Sequence, residues 1–196
     1  MSLSVLVIDE NHIRASIIEA GLREAGCSPV TLVREITGLL ELVSQINPDV
    51  IFIDLENPNR DALEYLLQLS RAVHRPIAMF VDRSDKAMTE AAIDAGISAY
   101  VVDGLKKERV KPILDMAVSR FNAFSRLRNE LERTKQALEE RKVIDRAKGI
   151  LMTARGLSEE EAYGLMRTMA MNENQRVAEI AQSLIIAAKM FSGTTS

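Results

Sequence analysis

Five short apolar runs, each closed by turn-forming residues, constrain this chain more than any other feature: Val5–Ile8, Pro29–Val33, Val50–Ile53, Ile77–Val81 and Ala99–Val102. They are rich in valine and isoleucine and too short for helices, the composition of strands covered on both faces of a parallel sheet. Helical stretches lie between them at His12–Ala25, Glu35–Ile46, Arg60–Val73 and Lys86–Ala95, and another begins at Lys106. Strand and helix alternating in this way predict a doubly wound α/β domain over residues 1–120, long enough to enclose a core.

The last of these helices does not end on schedule. Pro112 falls near its first turn, where proline is tolerated, and neither proline nor glycine recurs before Gly149. Phe124, Leu127, Leu131, Thr134 and Leu138 follow a 3-4 spacing among charged residues. That pattern predicts a coiled-coil linker at 121–140 and a homodimer held by Leu127, Leu131 and Leu138. Gly156 reads as a helix C-cap, and Ser158 with Glu161 as a capping box opening a helix to about Met171. Asn172-Glu173-Asn174 is then a polar turn, and Gln175–Phe191 the last helix. The expectation is a small all-α three-helix domain at 141–191, followed by a disordered tail at 192–196.

Charge divides the same way. Residues 1–119 hold 12 basic and 18 acidic side chains, whereas residues 120–196 hold 13 and 10. The back half is therefore the better candidate for a polyanionic partner. Tryptophan is absent, so a nucleic-acid site cannot rest mainly on stacking. The lone Cys27 excludes an internal disulfide and a cysteine-rich metal site. No basic n-region or long apolar span opens the chain, so no membrane association and a cytoplasmic location are expected.

Ligands of a doubly wound sheet sit beyond the carboxyl ends of its strands. Those ends carry Asp9 and Glu10, Asp54, Asp82 and Asp103. Converging carboxylates repel one another unless a cation joins them, and oxygen-only donors suit Mg²⁺. Any one of these aspartates is better explained as a turn or cap residue; the set is what points to a site.

Val5-Leu6-Val7-Ile8-Asp9-Glu10-Asn11, Val50-Ile51-Phe52-Ile53-Asp54 with Pro58 beyond it, and Ala95-Gly96-Ile97-Ser98-Ala99-Tyr100-Val101-Val102 resemble a two-component receiver domain. The resemblance implies a flavodoxin-like fold, Asp54 as phosphoacceptor, and Mg²⁺ held by Asp9, Glu10 and Asp54. Two positions depart from the pattern. Val81 stands where a switch hydroxyl is expected, and Asp103-Gly104 where a lysine and proline are expected. Neither can steady a phosphoryl group by hydrogen bond or positive charge. Lys106, Arg60 and Arg83 are nearby cations, but no spacing assigns any of them to the cluster. Control by a docked protein is therefore expected in place of phosphorylation.

The segment from Arg141 to Met152 sets Ile144, Ala147 and Leu151 on one helical face with Arg141, Lys142, Arg146 and Lys148 around it. Ala147 and Gly149 are small enough to admit a close neighbour. Together with Gly156, Ser158, Glu161-Ala162, Met171 and Ile180-Ala181, the segment resembles the ANTAR domain, the antitermination module of AmiR- and NasT-type regulators. The receiver half is similar to the NasT branch. The resemblance implies binding to stem-loops in mRNA leaders, gating by an inhibitory or nitrate-binding sensor protein, and control of nitrate and nitrite assimilation. Arg146, Lys148, Arg155 and Arg176 are the candidate phosphate or base contacts, and Asn172, Asn174 and Gln175 the candidate base readers. Met152, Leu165, Met166, Met169 and Ile180 are expected in the core.

No glycine-rich phosphate loop, nucleophile triad or metal-spaced histidine pair is present, so no enzymatic activity is expected. The alternative is a DNA-binding response regulator activated by phosphorylation at Asp54. Glu159, Glu160 and Glu161 at the start of the would-be recognition helix oppose that reading. A protein-interaction adaptor is the third possibility.

Overall fold

The computed structural model describes residues 2–35, 37–55 and 60–192. Two compact units emerge, Met1–Ser125 and Arg126–Ser196. The first holds strands β1 (Val5–Asp9), β2 (Val30–Val33), β3 (Val50–Leu55), β4 (Ile77–Val81) and β5 (Ala99–Val102) in one parallel sheet of order β2-β1-β3-β4-β5. This is the flavodoxin-like order, with its switch point between β1 and β3. Register sets Asp9 beside Asp54 across that point. Pro58 lies outside the described residues.

Alternate residues of the buried strands feed two cores. Leu6, Ile8, Ile51, Ile53, Ile77 and Met79 pack with Leu39, Val43, Leu63 and Leu66 from α2 (Leu39–Ile46) and α3 (Arg60–Ala72). Val5, Val7, Val50, Phe52, Ala78 and Phe80 pack with Ile18 and Leu22 of α1 (His12–Glu24) and with Val110, Ile113 and Leu114. Gly21 permits that second layer: a Cβ there would meet Val110 Cβ at 2.7 Å. Helix α4 (Lys86–Asp94) completes the cover, its first turn capped by Asp85.

Helix α2 begins later than the sequence pattern predicts. Gly38 has φ +71°, a left-handed conformation no helix interior accepts, so the helix starts at Leu39. Helix α5 (Lys107–Arg155) is a single 49-residue element that includes Gly149 without a break. It ends at Gly156, whose φ of +67° reverses the chain. The capping box forms in both directions, Glu161 N–H to Ser158 Oγ at 3.2 Å and Ser158 N–H to Glu161 Oε2 at 2.8 Å.

In the second unit, α6 (Glu159–Glu173) runs past the turn expected at Asn172-Glu173. Asn174 alone adopts the left-handed cap, with φ 52°. Helix α7 (Val177–Ser192) follows and takes in Ser192, expected as the first residue of the tail. The core is Ala147, Leu151, Ala162, Met166, Ala170, Ile180, Ala181 and Ile185, with Leu165 and Met169 at its margin. Met152, expected inside, is 39 % exposed. It stands one residue, about 100° of helix rotation, past the buried Ala147–Leu151 stripe. Residues 193–196 of the expected tail lie outside the described residues.

Candidate functional site

The carboxylate cluster is real but differently composed from the expected one. Asp9 ends β1 and Asp54 lies in β3, and they are 3 % and 2 % exposed. Glu10 and Asp103 are exposed, Asp103 with a left-handed φ of 46°. The cation at the cluster is Arg14, which the sequence pattern did not single out. Asn11 caps α1 by accepting from the Ile13 amide at 3.0 Å and the Arg14 amide at 3.4 Å. From that first turn the Arg14 side chain crosses to β3. Its Nε donates to Asp54 Oδ2 at 2.6 Å and its Nη2 to Asp54 Oδ1 at 2.7 Å. Nη1 donates to Asp82 Oδ1 at 2.8 Å. The fork on Asp54 is the bidentate geometry that guanidinium favours.

Asp9 fares less well. Its Oδ1 accepts the Asn11 N–H at 2.8 Å, but Oδ2 is buried with no hydrogen-bond partner among the described residues. Burial first, and then the charge of Asp54, push its carboxyl up to about 7, against the pull of the Asn11 amide and of Arg14. Burial raises Asp54 too, while the adjoining guanidinium opposes that rise.

The expected Mg²⁺ does not fit this arrangement. Both Asp54 oxygens and one of Asp82 are engaged by Arg14, and Glu10 faces solvent. Among the described residues no three acidic, histidine or cysteine side chains form a group able to hold a metal. Val81 is buried in the apolar core beneath. The hydroxyl of Ser84 in the same loop bonds Tyr100 at 2.8 Å and Thr89 at 3.2 Å. Lys106 and Arg83 are exposed, and the Arg60 side chain lies outside the described residues.

In the second unit the expected nucleic-acid residues divide. The Lys148 side chain is 15 % exposed and ion-paired at 2.6 Å to both Asp145 and Glu159, so it ties α5 to the first turn of α6. It lines a groove of about 650 Å³ with Arg141, Gly149, Met152 and Tyr163. Tyr163, 43 % exposed, was not expected there. Arg176 lines a different groove and pairs with Glu179 at 3.1 Å and Glu140 at 3.0 Å. Arg146 and Arg155 are exposed and, among the described residues, carry no ion pair. Asn172, Asn174 and Gln175 are exposed at the α6–α7 turn, where the Gln175 amide donates to Ala170 O.

Ala147 is fully enclosed and shares a buried cluster with residues of α6 and α7, so its close neighbours come from its own module. Gly149 does face open space, with nothing within 4 Å of an added Cβ. Phe124, Leu127, Leu131 and Leu138 are between 53 % and 64 % exposed and form an apolar stripe along α5.

Known proteins resemble both units. The response regulator receiver domain family matches residues 5–115 and the ANTAR domain family residues 132–185. The Transcriptional regulatory protein PdtaR of Mycobacterium tuberculosis is 32% identical over 175 residues, 88% of this chain and 85% of that protein. The Nitrate regulatory protein of Klebsiella oxytoca is 43% identical over 75 residues, 38% of this chain and 19% of that protein. A response regulator from Thermotoga maritima shares the receiver fold at TM-score 0.53 and 16% identity, covering 61% of this chain and 99% of that one. No helix among the described residues is long and apolar enough to cross a membrane.

Proposed function

The chain belongs to the response regulators that join a receiver domain to an ANTAR domain, and from that premise we propose that it is a cytoplasmic antiterminator that binds paired stem-loops in mRNA leaders. The observation that carries this reading is the groove on the C-terminal unit. There Lys148 and Arg141 share a surface with the exposed ring of Tyr163 and the bare backbone of Gly149. An A-form major groove excludes a helix, so proteins read RNA at unpaired loop bases by stacking and polar contacts. Tyr163 supplies a stacking face, and Arg146 and Arg155 supply phosphate contacts. Asn172, Asn174, Gln175 and Arg176 read or hold the flanking nucleotides.

The exposed stripe of Phe124, Leu127, Leu131 and Leu138 pairs with the same stripe of a second copy. A dimer presents two modules, so after the first hairpin binds, the second contact is intramolecular. The receiver takes its signal from an inhibitory sensor protein, and the likeness to the Klebsiella nitrate regulatory protein supports nitrate as the stimulus. A phosphoryl analogue with Mg²⁺ then changes RNA affinity little.

A gel shift comparing tandem RNA hairpins, a single hairpin and duplex DNA tests the reading. Tandem hairpins bind most tightly, and Tyr163→Ala weakens them. Leu131→Asp removes the preference for the tandem arrangement by making the chain monomeric in sedimentation. Duplex DNA binding as tightly as the hairpins would defeat the RNA reading.

A further inference from the structure

We infer that Arg14 is the resident cation of the acidic pocket, standing in place of a divalent metal and holding Asp54 in a closed, metal-independent state. Arg14 belongs to the receiver, so this holds whether or not the C-terminal unit binds RNA. Asp9 and Asp54 are buried side by side, and such carboxylates persist only with a partner for their charge. Three N–H groups of one guanidinium provide it for Asp54, two on Asp54 itself and one on Asp82, while Asp9 accepts from the Asn11 amide. Among the described residues no second cation or hydroxyl comes in from β4 or β5: Asp103 and Lys106 are exposed, and Val81 is enclosed in the core.

Three features make the arrangement specific. The Asn11 cap fixes the first turn of α1, so the arginine stem leaves the helix beside the end of β1. Asp54 accepts both of its bonds from the same fork, a pairing lysine cannot reproduce. Among the described residues Asp9 Oδ2 is left as a buried acceptor without a hydrogen-bond partner, an oxygen a metal ion would take if the fork were removed. Removing Arg14 should therefore uncover a cation site that the native chain masks.

The test is titration of the full chain with MgCl₂, and with MnCl₂ followed by electron paramagnetic resonance. The native chain is expected to show no saturable site and no rise in melting temperature at millimolar Mg²⁺. Arg14→Ala is expected to bind at least tenfold more tightly, and Arg14→Ala with Asp54→Asn to lose that gain. If the native chain binds Mg²⁺ as tightly as Arg14→Ala, or if a folded Arg14→Ala binds none, the inference is overturned. A readout on the native chain covers the case in which Arg14→Ala fails to fold. The Arg14 Nε–H signal in a ¹⁵N spectrum, assigned by its loss in Arg14→Lys, should stay in place as Mg²⁺ is added. Its disappearance at stoichiometric metal would also overturn the inference.

Discussion

Asp9 and Lys148 show how a single side chain is governed by its neighbours. Asp9 has its carboxyl raised from an ordinary 3.8 to about 7 because it is buried beside Asp54. In the unfolded chain it ionises near its ordinary value, so the folded state binds the extra proton between those limits. Its contribution is fully present below about pH 4 and is lost as pH rises through about 7. Asp9→Asn should therefore match the native chain in urea unfolding at about pH 4 and exceed it at about pH 8, each pKa unit being worth about 1.4 kcal/mol. Lys148 gives the second prediction. Its ammonium is shared between Asp145 and Glu159, and Glu159 is the more exposed of the two partners. Glu159→Gln should free Lys148 for phosphate, tighten RNA binding severalfold and steepen its salt dependence. An unchanged affinity would leave Lys148 as a tie between helices only.

These two residues also mark how far the sequence is legible. Asp9 and Asp54 are visible in it because strand ends are recognisable and their chemistry is unambiguous. Arg14 is not, because its partner is 40 positions away and its helix offers no periodic reason to prefer it. The available signal is indirect: carboxylates lacking their expected lysine need a cation, and the first turn after Asp9 has the shortest reach. Asp145, three residues before Lys148, is in plain view, whereas Glu159 becomes its neighbour only after the chain reverses at Gly156.

At the scale of elements the strands match their sequence pattern closely: β1, β3 and β4 are buried on both faces, and the edge strands β2 and β5, though partly exposed, keep their short apolar runs. Helix ends are less legible. Gly38 delays α2 and Asn174 ends α6 later than composition implies, each through a left-handed φ that the residue type permits but does not require. Gly149 lies inside α5, within two turns of its C-terminal end, with no neighbour that excludes a side chain. Gly149→Ala should accordingly stabilise the C-terminal unit by about 1 kcal/mol in thermal unfolding. If RNA affinity falls while stability rises, the bare backbone is part of the binding surface; if both rise or RNA binding is unmoved, it is not.

The whole molecule contains two units with separate apolar interiors. The smaller has few large side chains inside, so its melting is expected at lower temperature than that of the receiver. Met166→Ala should cost about 2–5 kcal/mol, enough to abolish the lower transition while the receiver's transition stays in place. Circular dichroism melting of the full chain checks both statements. A simultaneous loss of both transitions would mean the units fold as one.

The interior of the C-terminal unit has a further consequence for how it tolerates change. Ala147, Ala162 and Ala181 are fully enclosed and Ala170 nearly so. Any carbon added at these places therefore enters the shared core of the module. In a comprehensive substitution screen the receiver would suffer most from shrinking its isoleucines, leucines and valines. The smaller unit would suffer most from growth: Ala→Val at any of these four positions pries its helices apart, even though it adds apolar surface.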